Sequence, residues 1–257
     1  MQVLLIIVFA IIGIVILLSP VIKKATSTYS SKNTKKAFNK LSEDFTENSP
    51  NEQDIESVFI AMDAYNEELF YKGQNKLTGE LPENQVLYDV SEIMDIDVFC
   101  YVDVIKTKVK ERRRGQRDTK ELIYSFPVYL SANKHNLSSG FATMPHTSLP
   151  IGGESTLSVL YGYAKENLYK GKKCIVSVGD KIVLRNPYED IAYRVYDMGS
   201  ITENDTDILR IAEGETEIAL LMFMPKQKYR FCIFAKEIES GNSDEDYEDD
   251  DIEEDNP

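Results

Sequence analysis

Residues 147–163 read TSLPIGGESTLSVLYGY, and no other stretch narrows the fold as far. Pro150 fixes its own φ and holds the preceding residue extended, while Gly152 and Gly153 permit backbone angles that other residues avoid. A tight connection is expected there. The small and β-branched residues that follow, Ser155, Thr156, Ser158 and Val159, suit a strand ending at Gly162. On residue types alone this is a glycine turn entering a buried strand.

The chain on either side is also strand-like. Residues 97–108 (DVFCYVDVIKTK) alternate well enough for a half-buried strand, and 126–131 (FPVYLS), 181–185 and 191–196 (IAYRVY) read as further strands, with a turn at Gly179-Asp180. Upstream, Ile55, Val58, Phe59, Met62, Leu69 and Phe70 fall at helical spacing, with Asp54 placed to cap that helix. Residues 110–120 (KERRRGQRDTK) look like an insertion carrying Arg112, Arg113, Arg114 and Arg117. They read as a solvated loop, or as a hairpin tip able to meet anionic polymers or the acidic C-terminal stretch.

Charge is distributed unevenly. Residues 244–255 hold ten of the 43 carboxylates, leaving 33 against 29 Lys and Arg elsewhere, so a net charge of −14 becomes about −4 for the rest. A body so near neutral argues against non-specific nucleic-acid binding, and no nucleic-acid partner is expected. Residues 240–257 (SGNSDEDYEDDDIEEDNP) are too acidic to fold or enter a bilayer and are read as a disordered tail.

Residues 3–22 form an apolar run broken only by Gly13, Ser19 and Pro20, and at 1.5 Å per residue it reaches across a core of about 30 Å. A transmembrane anchor over 1–24 is expected rather than a cleaved signal, because the run exceeds the usual h-region and no small-x-small site follows. Residues 25–53, rich in Ser, Thr, Asn and Lys, are read as a solvated stalk. Lys23, Lys24, Lys35 and Lys36 follow the run and nothing basic precedes it, which taken alone would keep the body cytoplasmic.

Cys100, Cys174 and Cys232 are widely spaced, with no metal signature or disulfide framework, and are read as core residues. His135, in a polar loop, and His146 are too few for a His-rich metal site. No cofactor and no metal is expected.

Taken together, TSLPIGG and STLSVLYGY closely resemble the sortases, cell-surface cysteine transpeptidases, and most of all the pilin-polymerising class C, whose members read TSLPxGG and then STHSVLxGH. In that pattern the last His is catalytic; the matching residue here is Tyr163, and the earlier His matches Leu157. FPVYLS resembles the family's PIYxG strand and IAYRVY its LAYxV strand. Asp205, Thr206, Asp207 and the residues after them are similar to DTSDLxI, Gly179-Asp180 stands at a similar turn, and Tyr65-Asn66 matches a Tyr-Asn pair in a helix before the barrel. The resemblance runs in register over about 100–238.

Residues 217–234 (EIALLMFMPKQKYRFCIF) decide what the resemblance implies for chemistry. In sortases one strand ends in TLxTC, the Cys is the nucleophile, and the next strand opens with an Arg. Aligning Leu220, Leu221 and Pro225 places Met222 on the Thr, Phe223 on the Cys and Arg230 on the Arg. Transpeptidation needs a thiolate to attack the Thr-Gly carbonyl, an imidazole to move protons and a cation to steady the oxyanion. Of the three, only the Arg is present. Phe223 offers no nucleophile, and Tyr163, with a reference pKa near 10, is a poor proton shuttle at neutral pH.

The resemblance implies a mainly β chain: a closed barrel of about eight strands with short helices over 96–239, preceded by an amphipathic helix and lid-like region over 54–95. The expected function is a membrane-anchored, extracytoplasmic pseudo-sortase that assists surface-protein or pilus assembly by binding an LPxTG-type sorting signal, a pilin or an active sortase, with Arg230 and Tyr163 as ligand-binding residues. An extracytoplasmic body runs against the lysine placement and is taken from the resemblance. The alternative is an active transpeptidase using a displaced thiol such as Cys232, which alternation places on the same strand face as Arg230. A third reading is a barrel kept only as a structural module. Class C sortases carry a lid loop with an Asp-Pro-aromatic motif, which residues 72–95 lack; many continue into a second membrane helix, where this chain has its acidic tail. His146 falls where the family usually has Gly.

Overall fold

The computed structural model describes residues 52–87, 98–108, 119–165, 168–170, 173–224 and 227–238, together with Lys35 and Phe38. The apolar run at 3–22, nearly all of the stalk, the Arg-rich residues at 110–118 and the acidic tail lie outside the described residues. Among the described residues no helix is long and apolar enough to cross a membrane.

The elements, in chain order, begin with α1 (Glu52–Tyr71), β1 (Gln85–Val86), β2 (Cys100–Lys108), β3 (Thr119–Tyr129), β4 (Ser131–Ala132), α2 (Lys134–Ser139) and β5 (Phe141–Thr143). Then come β6 (Thr156–Tyr163), β7 (Tyr169–Lys170), β8 (Lys173–Cys174), β9 (Lys181–Arg185), β10 (Asp190–Ile201), β11 (Thr216–Phe223) and β12 (Arg230–Glu237). Eight strands close into a barrel in the order β10-β12-β11-β6-β5-β3-β2-β9. Its neighbours are antiparallel except β6 with β11 and β3 with β5. The expected mainly β barrel is present.

Alternation along the strands separates two cores. Val102, Val104, Leu160, Leu220 and Ile233 belong to one cluster, into which Val58 and Met62 of α1 also pack. Val159, Tyr161, Leu221 and Cys232 belong to the other, with Leu137 of α2 and Leu209. Strand β6 is therefore buried on both faces, which is why TLSVLYGY carries no charged residue. It runs to Tyr163, one residue beyond the end expected from Gly162.

The TSLPIGG stretch is tied down by its own hydroxyls and by α1. Thr147 donates to the Met144 carbonyl at 2.8 Å, the Leu157 amide donates to Ser148 Oγ at 3.0 Å, and Ser158 Oγ donates to the Leu149 carbonyl at 3.1 Å. Asn66 of α1 closes a two-way clamp: its Nδ2 donates to the Leu149 carbonyl at 3.2 Å and its Oδ1 accepts from the Leu149 amide at 2.7 Å. Gly152 has a φ of +76°, a left-handed conformation that favours glycine, and a Cβ there would lie 2.6 Å from Ile191 Cδ1, so that side chain's end would have to shift.

Three local expectations are corrected. Helix α1 begins at Glu52, before Asp54, so Asp54 lies inside the helix instead of capping it. Exposed His135 lies in α2 rather than a loop; Asn133 caps that helix by accepting from the Asn136 amide. Phe38, placed by composition in a solvated stretch, is buried against Tyr101 with ring centroids 5.0 Å apart.

Candidate functional site

Strand register brings together the three positions assigned by resemblance. Tyr163 at the end of β6 lies opposite Phe223 at the end of β11, and Phe223 lies opposite Arg230 at the start of β12. They occupy one end of the barrel on three adjacent strands. The Phe223 ring lies 5.5 Å from that of Tyr163 and 6.1 Å from that of Tyr161. The centre of the site is an aromatic cluster packed on the second core. Such rings offer dispersion contact and quadrupole edges but no nucleophile.

Arg230 is engaged. Its Nη1 donates to the Gly79 carbonyl, and its Nη2 stands 3.8 Å from a carboxylate oxygen of Glu203. Partial burial lowers its pKa, and Glu203 opposes that shift. Cys232 lies two residues along β12, between Leu221 and Gly199 in the ladder. It is fully buried in the second core, and burial drives its thiol well above the usual range. Arg230 and Cys232 are not brought together at an open cleft. Cys100 is likewise buried, while Cys174 is partly exposed beside the barrel core. His135 and His146 are not among the residues gathered here.

A strap formed by residues 73–87 crosses this end of the barrel. Gln74 anchors its start: Nε2 donates to the carbonyls of His146 at 3.0 Å and Leu209 at 3.3 Å, and Oε1 accepts from the Ile211 amide at 2.8 Å. Leu77 and Leu81 pack on the second core. Tyr161 donates to the Pro82 carbonyl at 2.6 Å, and Tyr163 donates to Glu83 Oε1 at 3.2 Å. Desolvation, with help from the Glu83 carboxylate, raises the Tyr163 pKa. At its far end β1 pairs with β4, and Leu87 donates to the Leu130 carbonyl. The strap thus meets Arg230 and Tyr163 directly, and its residues carry no Asp-Pro-aromatic motif.

Gly79 shows how closely the strap is seated. A Cβ at this residue would stand 1.7 Å from the Glu203 carbonyl oxygen. The Glu203 turn cannot easily yield, because the Thr202 amide and hydroxyl both donate to Asp205 Oδ2, at 2.7 and 2.9 Å. Sequence reasoning missed Gly79, Pro82, Glu83, Tyr161 and Glu203. The Leu81-Pro82 pair was the available signal, since it restricts the chain to an extended form inside a polar stretch.

An open cavity of about 400 Å³ lies elsewhere, at the end of α1, with Tyr65, Glu68, Lys72 and His146 among its walls. Glu68 and Lys72 pair with each other there, and the cavity shares no residue with the aromatic cluster. Among the described residues no group of three or more His, Cys, Asp or Glu is placed to hold a metal ion.

No family model and no curated protein sequence matches the chain. Solved structures do. Sortase C-1 from Streptococcus pneumoniae is 21% identical with a TM-score of 0.55, and the match covers 78% of this chain and 97% of that one. Streptococcus agalactiae sortase C1, solved with MTSET, is 23% identical with a TM-score of 0.54, covering 79% and 96%. Sortase C from Clostridium perfringens SM101 is 19% identical with a TM-score of 0.53, covering 78% and 97%. Barrel closure, strand order and these matches converge on one conclusion: the chain has the sortase fold, in the form seen in class C sortases.

Proposed function

We propose that this protein is a sortase-fold binding protein without transpeptidase chemistry, which assists surface-protein or pilus assembly by engaging a sorting signal, a pilin or an active sortase. The observation that carries the reading is the Tyr163–Phe223–Arg230 row, where an aromatic ring occupies the position aligned with the family's nucleophile. Full burial of Cys232 supports it further, since a thiol attacks as thiolate and this one is both enclosed and held protonated. Among the solved neighbours, one is described as a pilus-related sortase C of Group B Streptococcus, which makes a pilin or its signal the reasonable partner class. The apolar run at 3–22 would anchor the chain, with the barrel on the extracytoplasmic side.

The test is intact-mass spectrometry of the full chain, in mild detergent, after incubation with an LPxTG-type peptide. The expected result is unmodified protein and uncleaved peptide, with saturable peptide binding by calorimetry once the strap is opened. A thioester adduct that disappears in Cys232→Ala would overturn the reading in favour of a transpeptidase with a displaced nucleophile.

A further inference from the structure

Lys35 and Phe38 are the described residues nearest the apolar run, and both are helical. They seat on the outer face of β2 and β3. Phe38 is buried with Val98, Tyr101 and Tyr129 in a cluster separate from both barrel cores. Lys35 Nζ donates to Ser125 Oγ at 3.0 Å and stands 5.7 Å from the centre of the Tyr101 ring.

The polar surroundings of this seat suit a lysine. Asp103 lies opposite Ser125 in the β2–β3 ladder, and Asp103 and Asp190 both pair with Arg185. Two carboxylates against one guanidinium leave negative charge beside the Lys35 ammonium, and Asp103 Oδ1 is buried with no hydrogen-bond partner. Aromatic burial and charge together hold one segment in one place.

The seat also has a direction. Strand β6 ends at the Tyr163–Phe223–Arg230 row, β5 is antiparallel to β6, and β3 is parallel to β5, so β3 runs away from the row's end of the barrel. Lys35 meets Ser125 within β3, whereas Phe38 clusters with Tyr129 at its finish. Residues 35 to 38 therefore run the same way as β3. A helical side chain leans toward its own N-terminus, which agrees with Lys35 reaching the upstream contact. The chain that leads into Lys35 comes from the end of the barrel that carries the row.

Lys35 stands thirteen residues past Ile22, the last of the apolar run, so the link spans at most about 45 Å even when fully extended. We infer that the stalk is a docked spacer: the seat of Lys35 and Phe38 on β2–β3 holds the barrel near the bilayer with the Tyr163–Phe223–Arg230 end turned toward it, the placement that serves a partner held in the same membrane. The inference rests on the membrane anchor proposed above and adds the orientation of the site. An undocked tether would let the barrel tumble and present both its ends to the membrane equally.

The test uses the full chain carrying Cys174→Ser, in phosphatidylcholine vesicles with an acceptor dye on a fraction of the headgroups. Cys100 and Cys232 are buried, so a donor dye goes to one added thiol. That thiol is Lys228→Cys, exposed between β11 and β12 at the row's end, or Glu213→Cys, exposed ahead of β11 at the other end. The eight residues of β11 separate the two labels by about 26 Å before strand tilt, and energy transfer to the lipid is expected to be about twofold greater from position 228. Phe38→Asp should bring the two positions to equal transfer. Phe38 belongs to neither barrel core, and protected β6 and β11 amides in hydrogen exchange verify that this variant keeps its barrel. Docking is read separately in mild detergent, where trypsin should cut after Lys35 at least about tenfold more slowly in the natural chain than in Phe38→Asp, because cleavage follows the open fraction.

Equal transfer from the two positions of the natural chain, or greater transfer from position 213, overturns the orientation. Equal cleavage of the natural and Phe38→Asp chains overturns the docking. A chain that does not float with the vesicles refutes the anchor itself, a result distinct from a chain that floats and shows unbiased transfer.

Discussion

Helix α1 and the strap that follows it both lie against the barrel, but they are held in different ways. Helix α1 buries Val58 and Met62 in the main core and clamps the Leu149 backbone through fully enclosed Asn66. The strap is anchored at its start by buried Gln74, but beyond it offers Leu77 and Leu81 only partly buried, exposes Val86, and is held over the site by single hydrogen bonds from Arg230, Tyr161 and Tyr163. Buried apolar area couples an element to global unfolding, whereas a few rim hydrogen bonds permit local opening. The helix is part of the fold; the strap occupies a site on it.

The largest effect should come from the helix side. Met62→Ala is expected to cost about 2–5 kcal/mol, read as a lowered denaturation midpoint with unchanged m-value. A loss well below that range would mean that α1 is also a detachable element and would erase the contrast. Asn66→Ala leaves the Leu149 amide and carbonyl buried without their partner, and should cost about 1–3 kcal/mol for each group left unsatisfied. Asn66→Asp restores only the acceptor half and should recover little.

On the strap side, Gly79→Ala should abolish protection of the Leu87 amide in hydrogen exchange while leaving amides in β6 and β11 protected. Loss of protection throughout the barrel would show that strap and core unfold as one unit. Tyr163→Phe removes a single exposed hydrogen bond to Glu83 and should cost at most about 0.5 kcal/mol of strap closure, visible only as faster local exchange.

A further expected effect concerns pH and lies beside the site. Lys165 donates to the carbonyls of Leu137 and Ser138 at the end of α2, both at 2.8 Å, and burial lowers its pKa to about 8 from an ordinary value of 10.5. Between those values the unfolded chain binds more protons than the folded one, so stability rises with pH across the window from about 8 to 10.5. Comparing the natural chain with Lys165→Met in parallel denaturation series isolates this term. A stability difference that stays flat from pH 8 to 10.5 would mean the ammonium is as well solvated in the fold as outside it.

Much of the barrel was legible because each strand carries its own pattern. The run TLSVLYGY is apolar on both alternating faces because it separates two cores, and Gly152 is visible because its left-handed backbone angle favours glycine. The row Tyr163, Phe223 and Arg230 was reachable through resemblance, and strand register places the three as neighbours. The strap's contacts were not legible. Tyr163 and Glu83 are separated by 80 positions and Arg230 and Gly79 by 151, and no local periodicity encodes hydrogen bonds between elements so distant.

The sequence by itself determined the strands, the glycine turn, the helix that precedes them and the residue types at the aligned positions, because these depend on neighbours a few residues away. Tertiary structure decided that Cys232 is enclosed, that Arg230 is occupied and that a Leu-Pro-Glu segment lies across the site. Those outcomes depend on which face of a closed barrel each side chain takes and on what crosses its end, and barrel closure is a property of all eight strands at once.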